Sequence, residues 1–126
     1  MSFDMSQLQE TTAYAPAAVS ADGQGAAVDL QDYIGTVKLI VTIDNTGGDA
    51  DETIDITVQE SSDNAVSDAY TATSYVTTQV EDDSSIQYID IDTRNVERYI
   101  RLDIDVGGTT PVYSVAAAIV GYKNTQ

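Results

Sequence analysis

The sequence predicts an all-β protein: a single antiparallel β-sandwich, jelly-roll-like, preceded by an extended N-terminal arm. Apolar residues recur with a period of two in several short runs, Gly, Asp and Ser turns separate those runs, and no long stretch shows the helical period. The 126 residues suit one domain, and a hydrophobic content of 42% argues against disorder. One Phe and no Trp leave the core to Val, Ile, Leu and some of the eight Tyr.

Residues 1–27 are rich in Ala, Ser, Thr, Gln and Gly and show no sustained period. They read as a partly irregular arm ahead of a sandwich domain at 28–126. A short helix around Ser6 to Tyr14 is the other option, opposed by Thr11, Thr12 and Pro16.

The period then switches to two. Val37, Leu39, Val41 and Ile43 alternate with Thr36, Lys38, Ile40 and Thr42, giving a strand with one face in the core and the other partly covered or wet. Ile54, Ile56 and Val58 repeat the pattern, with Asp55, Thr57 and Gln59 outward. Tyr70 to Val80 reads as one strand or two short ones, and Ile86 to Ile91 as another. From Tyr99 to Val106, Ile100, Leu102, Ile104 and Val106 share one face, and Arg101, Asp103 and Asp105 the other. Gly107 to Pro111 is a turn, and Val112 to Tyr122 a final strand whose Ala residues let another layer approach closely.

Twenty-one acidic residues against five basic ones give a formal charge of −16, which repels nucleic acid and anionic lipid. No run of about eighteen apolar residues is present to span a bilayer. Cysteine is absent, and the segment Met1 to Met5 lacks the basic and apolar regions of a secretory signal, so synthesis in a host cytoplasm is expected.

His is absent as well, which removes the commonest general base and leaves no hydrolytic triad to assemble. A carboxylate pair drawn from Asp90, Asp92, Asp103 and Asp105 with Asp49, Asp51 and Glu52 is conceivable, but alternating Asp on a strand is how an exposed face looks in a highly acidic protein. No catalytic residue is assigned and no cofactor is expected. The loop from Asp44 to Glu52 offers Asp44, Asp49, Asp51 and Glu52 as weak candidates for a hard cation. It is not an EF-hand loop, because Asp49 occupies the position that needs Gly. A solvated turn is the simpler reading.

Arg94, Arg98 and Arg101 form the one basic cluster. They either cancel Asp90, Asp92 and Asp103 across a hairpin or dock a carboxylate-bearing partner through forked hydrogen bonds. Tyr14 and Tyr33, with Tyr70, Tyr75 and Tyr122, fall near strand ends or the arm, where an apolar body with a polar tip suits a subunit contact.

Two segments carry a family likeness: Ser61-Ser62-Asp63-Asn64-Ala65 after the strand Ile54 to Glu60, and the run from Ile91 through Arg94, Arg98, Tyr99, Ile100 and Arg101 to Leu102. Over about residues 28–122 the layout resembles the jelly-roll capsid cement, or decoration, proteins of tailed bacteriophages. The resemblance implies a non-enzymatic virion component on the outer capsid surface. Such a component binds the major capsid protein, associates with itself as a dimer or trimer, and stabilises contacts between capsid subunits. The competing expectation is a calcium-dependent carbohydrate-binding or adhesion module, its calcium held at Asp49 and Asp51.

Overall fold

In the computed structural model, residues 5–47 and 50–123 are described. A 3-10 turn at Met5–Gln7 leads into ten strands: β1 (Leu8–Val19), β2 (Gly23–Gln24), β3 (Val28–Asp29), β4 (Tyr33–Asn45), β5 (Thr53–Ser61), β6 (Thr71–Val76), β7 (Val80–Glu81), β8 (Ser85–Asp92), β9 (Tyr99–Gly107) and β10 (Tyr113–Lys123). One sheet runs β1-β10-β4-β8 and the other β2-β9-β5-β6, and every pairing is antiparallel.

The connectivity is that of a jelly roll. Strands β2 and β3 lie end to end along β9, and β6 and β7 end to end along β5, so ten strands fill eight positions. Numbered along the chain, those positions run 1-8-3-6 in one sheet and 2-7-4-5 in the other, the double Greek-key order of a closed two-sheet sandwich.

The alternation in β4, β5 and β9 decides which face each strand buries. Val37, Leu39, Val41 and Ile43 from one sheet meet Ile54, Ile56, Val58, Ile100, Leu102 and Ile104 from the other, all at most 1% exposed. Burying each such side chain contributes roughly 1.5–3 kcal/mol. Tyr113, Val115 and Ile119 of β10 and Val28 of β3 complete the centre.

Within residues 5–27, the described part of the expected arm, the chain is built into the sandwich. Leu8–Val19 is extended, but it is hydrogen-bonded along β10 as the first position of the jelly roll, and β2 already belongs to the opposite sheet. No helix forms between Ser6 and Tyr14 beyond the initial turn. The period is hidden here because the strand buries small residues, Ala13 and Val19, and shifts register twice, between Thr12 and Tyr14 and between Tyr14 and Ala17.

Close approaches shape the two ends of the first sheet. In β4, Gly35 takes a φ of +69°, and four residue steps of β4 (Lys38 to Ile34) span two steps of β10 (Val120 to Tyr122), forming a bulge. Gly121 lies beneath it: a Cβ there would sit 2.6 Å from Val37 Cγ1 and 3.1 Å from Tyr33 Cδ1. At the other end, the Gln87 side chain of β8 reaches across the gap between the sheets. Its Oε1 accepts from Thr78 N at 2.8 Å, and its Nε2 donates to Thr78 O at 2.9 Å.

Candidate docking surface

Each of the three arginines has a partner within the chain. Arg94, in the turn after β8, donates from Nε and Nη2 to the two oxygens of Asp92, both at 3.0 Å. That fork, with the Arg94 backbone N–H, holds the Asp92 carboxyl below its ordinary value. Arg98 forks onto Asp29 at 3.0 and 2.9 Å, tying the start of β9 to β3, and the same contact lowers Asp29. Arg101 donates to Gln59 Oε1 at 2.7 Å and lies 4.1 Å from the centre of the Tyr70 ring.

Of the acids expected to cancel these arginines, Asp92 does so. Asp90 instead pairs with Lys38 at 3.0 Å, and Asp103 accepts from Gln24 at 3.0 Å. The two tyrosines proposed for partner contact also separate. Tyr33 is 4% exposed, hydrogen-bonds Thr11 Oγ1 through its hydroxyl at 2.6 Å and packs in the core, which leaves its ring no surface to offer. Tyr14 is half-buried and lines an open trough on the outer face of the first sheet.

The acidic candidates for a cation are directed at their own chain. Asp44 accepts from Ser84 Oγ at 2.7 Å, and Asp51 from Thr109 Oγ1 at 2.8 Å and Thr109 N at 3.3 Å. The Thr109 bonds hold Asp51 below its ordinary value. Glu52 is fully buried, and its carboxylate lies where a side chain on Gly47 would fall. Asp49 lies outside the described residues. Among the described residues, no group of three or more His, Cys, Asp or Glu is placed to hold a metal ion.

The two outer faces of the sandwich differ sharply in chemistry. On the second sheet, Asp55 of β5 stands opposite Asp105 of β9, and Asp103 lies one step along the same face. Asp22, beside them, raises the Asp105 carboxyl above its ordinary value by charge repulsion and a shared hydrogen bond, with burial, Asp55 and Asp103 adding to the effect.

On the first sheet, the register sets Thr12, Ala118, Ile40 and Tyr88 side by side across all four strands. The adjacent row is Ala116, Thr42 and Ile86, and Val120 follows on the other side. Tyr88 is 62% and Ile86 59% exposed. The alanines of β10, whose small size was expected to admit another layer, form the floor of the trough, and Tyr14 and Pro16 of β1 and Ile40 of β4 its sides. No described element lies over it. Glu10, Asp44 and Asp90 stand at the margins.

The alternation places Ile40 on the outward face of β4, but sequence reasoning did not identify Ile86 and Tyr88 as surface residues. The signal was present in Ile86-Gln87-Tyr88-Ile89-Asp90-Ile91, where apolar residues occupy both parities of one strand. An exposed strand of this kind needs an explanation for its second apolar face.

Sheet order and strand pairing define the class: a jelly-roll sandwich of two four-position sheets. Solved structures share that architecture. The SPBc2 prophage-derived protein YomS superposes with a TM-score of 0.52 at 12% identity, over 90% of this chain and 93% of that one. The VP2 protein in the subviral particle of infectious bursal disease virus gives 0.55 at 15% identity over 91% of this chain and 32% of VP2. The structure of the Gx strain of the same virus gives 0.55 at 9% identity, covering 94% of this chain and 33% of that one. This chain therefore spans about a third of the length of the viral chains. No family model and no curated protein matches the sequence.

Proposed function

We propose that this chain is a non-enzymatic virion structural protein, a capsid decoration or cement protein. In this reading it binds the outer surface of a phage head and stabilises contacts between major capsid protein subunits. The observation that carries it is the division between the outer faces, one acidic and one apolar with Ile86 and Tyr88 exposed. A protein with one adhesive face and one solvated, mutually repelling face suits the covering of a surface.

The jelly-roll architecture shared with a prophage-derived protein and with a virus particle protein supports the same reading. Decoration requires no bond chemistry. A chain that binds the assembled shell and not its dissociated parts stabilises the shell by mass action, by about 2.7 kcal/mol per site at a hundredfold excess over Kd. The acidic sheet, turned outward, keeps the covered particle soluble.

The test is to add purified chain to shells of the major capsid protein assembled without it, then follow co-sedimentation and calorimetric disruption. Saturable binding with a higher disruption temperature is expected. Shells that bind none of the chain and melt unchanged would sink the proposal.

A further inference from the structure

We infer that the outer face of β1-β10-β4-β8 docks a different protein, one presenting an apolar centre edged by Arg or Lys, and not a second copy of this chain. The inference rests on the adhesive role proposed above and names the chemistry of its partner.

Size and charge argue together. With strands about 4.8 Å apart and same-face residues about 7 Å apart, the apolar rows cover on the order of 300–400 Å². A stable interface buries about 800 Å² on each partner, so apolar contact here needs help from its margins. At those margins Lys38 and Asp90 cancel as a pair, and Glu10 and Asp44 set the net negative charge. A second copy would set acidic margins against acidic margins, on bodies of formal charge −16 each. A cationic margin on the partner turns the same residues into attraction, steering the approach and fixing orientation. Tyr88 and Ile86, the large exposed apolar side chains that β8 presents along one side of the face, then bury against the partner's apolar surface, where truncating a desolvated anchor costs most.

The experiment uses the full chain and the shells described above. Ile86→Ser with Tyr88→Ala is expected to weaken binding more than about thirtyfold while leaving the melting temperature near that of the parent, because both residues are exposed. Glu10→Lys is expected to weaken binding and flatten its salt dependence, whereas Asp103→Asn leaves it unchanged. If the face variants bind normally while Arg98→Glu with Arg101→Glu does not, the decoration role stands and this inference falls. If Glu10→Lys strengthens binding, or if the chain self-associates and Ile86→Ser abolishes it, the inference falls as well.

Should the shells bind nothing, the face is still decided by chemical-shift mapping with a short amphipathic Leu/Arg peptide. Shifts centred on Ile40, Ile86, Tyr88 and Ala118 support the inference, and shifts confined to Asp55, Asp103 and Asp105 overturn it.

Discussion

Asp55 and Asp105 face each other directly across β5 and β9, on the outer side of their sheet. Like charges so placed oppose folding, and Asp22 beside them raises the Asp105 carboxyl the most, with Asp55 and Asp103 adding to it. A carboxyl raised in the folded state destabilises the fold above the ordinary carboxylate range and stops doing so once protonated. Asp105→Asn is therefore expected to raise the melting temperature at neutral pH, with the gain shrinking below about pH 4. Parallel thermal melts at the two pH values check this; equal melting temperatures at neutral pH would show that the acidic face carries no folding cost.

Asp29 has the opposite sign. Its carboxyl is lowered chiefly by the Arg98 fork, so that bond stabilises the fold above the ordinary Asp value and is lost as pH falls through the lowered one. Arg98→Ala is expected to return Asp29 toward its ordinary pKa and to flatten the acid limb of the stability curve, with the domain still folded at neutral pH. A carboxyl NMR titration of Asp29 in both proteins reads the shift directly.

The turn Ser61-Ser62-Asp63-Asn64-Ala65, one of the two segments behind the family resemblance, proves to be a stapled loop. The buried Ser61 hydroxyl donates to Asp68 O at 2.6 Å and accepts from Ala65 N at 2.9 Å, while Asp63 accepts from Ser67 and Asp68. Ser61→Ala is expected to cost about 1–3 kcal/mol in chemical denaturation, because buried groups lose their partner. Ala65 has a φ of +64°, which disfavours any residue with a Cβ, so Ala65→Gly is expected to stabilise by up to about 1 kcal/mol.

Gly121→Ala drives a methyl into Val37 beneath the β4 bulge. Overpacking of this kind costs about 1–3 kcal/mol. Val37→Ala in the same chain is expected to recover part of the loss, a coupling that a double-mutant cycle measures. Additive losses would place the strain elsewhere.

The long strands were legible because each buries branched residues on one parity and turns polar groups outward, as Ile54, Ile56 and Val58 do against Asp55 and Thr57. Strand β1 was not, since Ala13 is a weak hydrophobic signal and two register shifts scramble its phase. Strands β2 and β3 are two residues each, too short for any period. The docking face was hidden for a different reason. The alternation of β4 shows Ile40 facing outward, but only the neighbours Ala118 and Tyr88, set beside it by the register, make that face continuous. The arginines were conspicuous as a cluster and Asp92, the partner of Arg94, lies two residues away, yet the partners of Arg98 and Arg101, Asp29 and Gln59, lie 69 and 42 residues away, beyond the reach of local pattern.

The side-chain amide of Gln87 offers Thr78 the donor and acceptor that a neighbouring strand would have supplied. An edge occupied in this way has little left to offer a strand from another molecule. A single glutamine side chain thus closes the backbone N–H and C=O of Thr78, between β6 and β7, to pairing from outside.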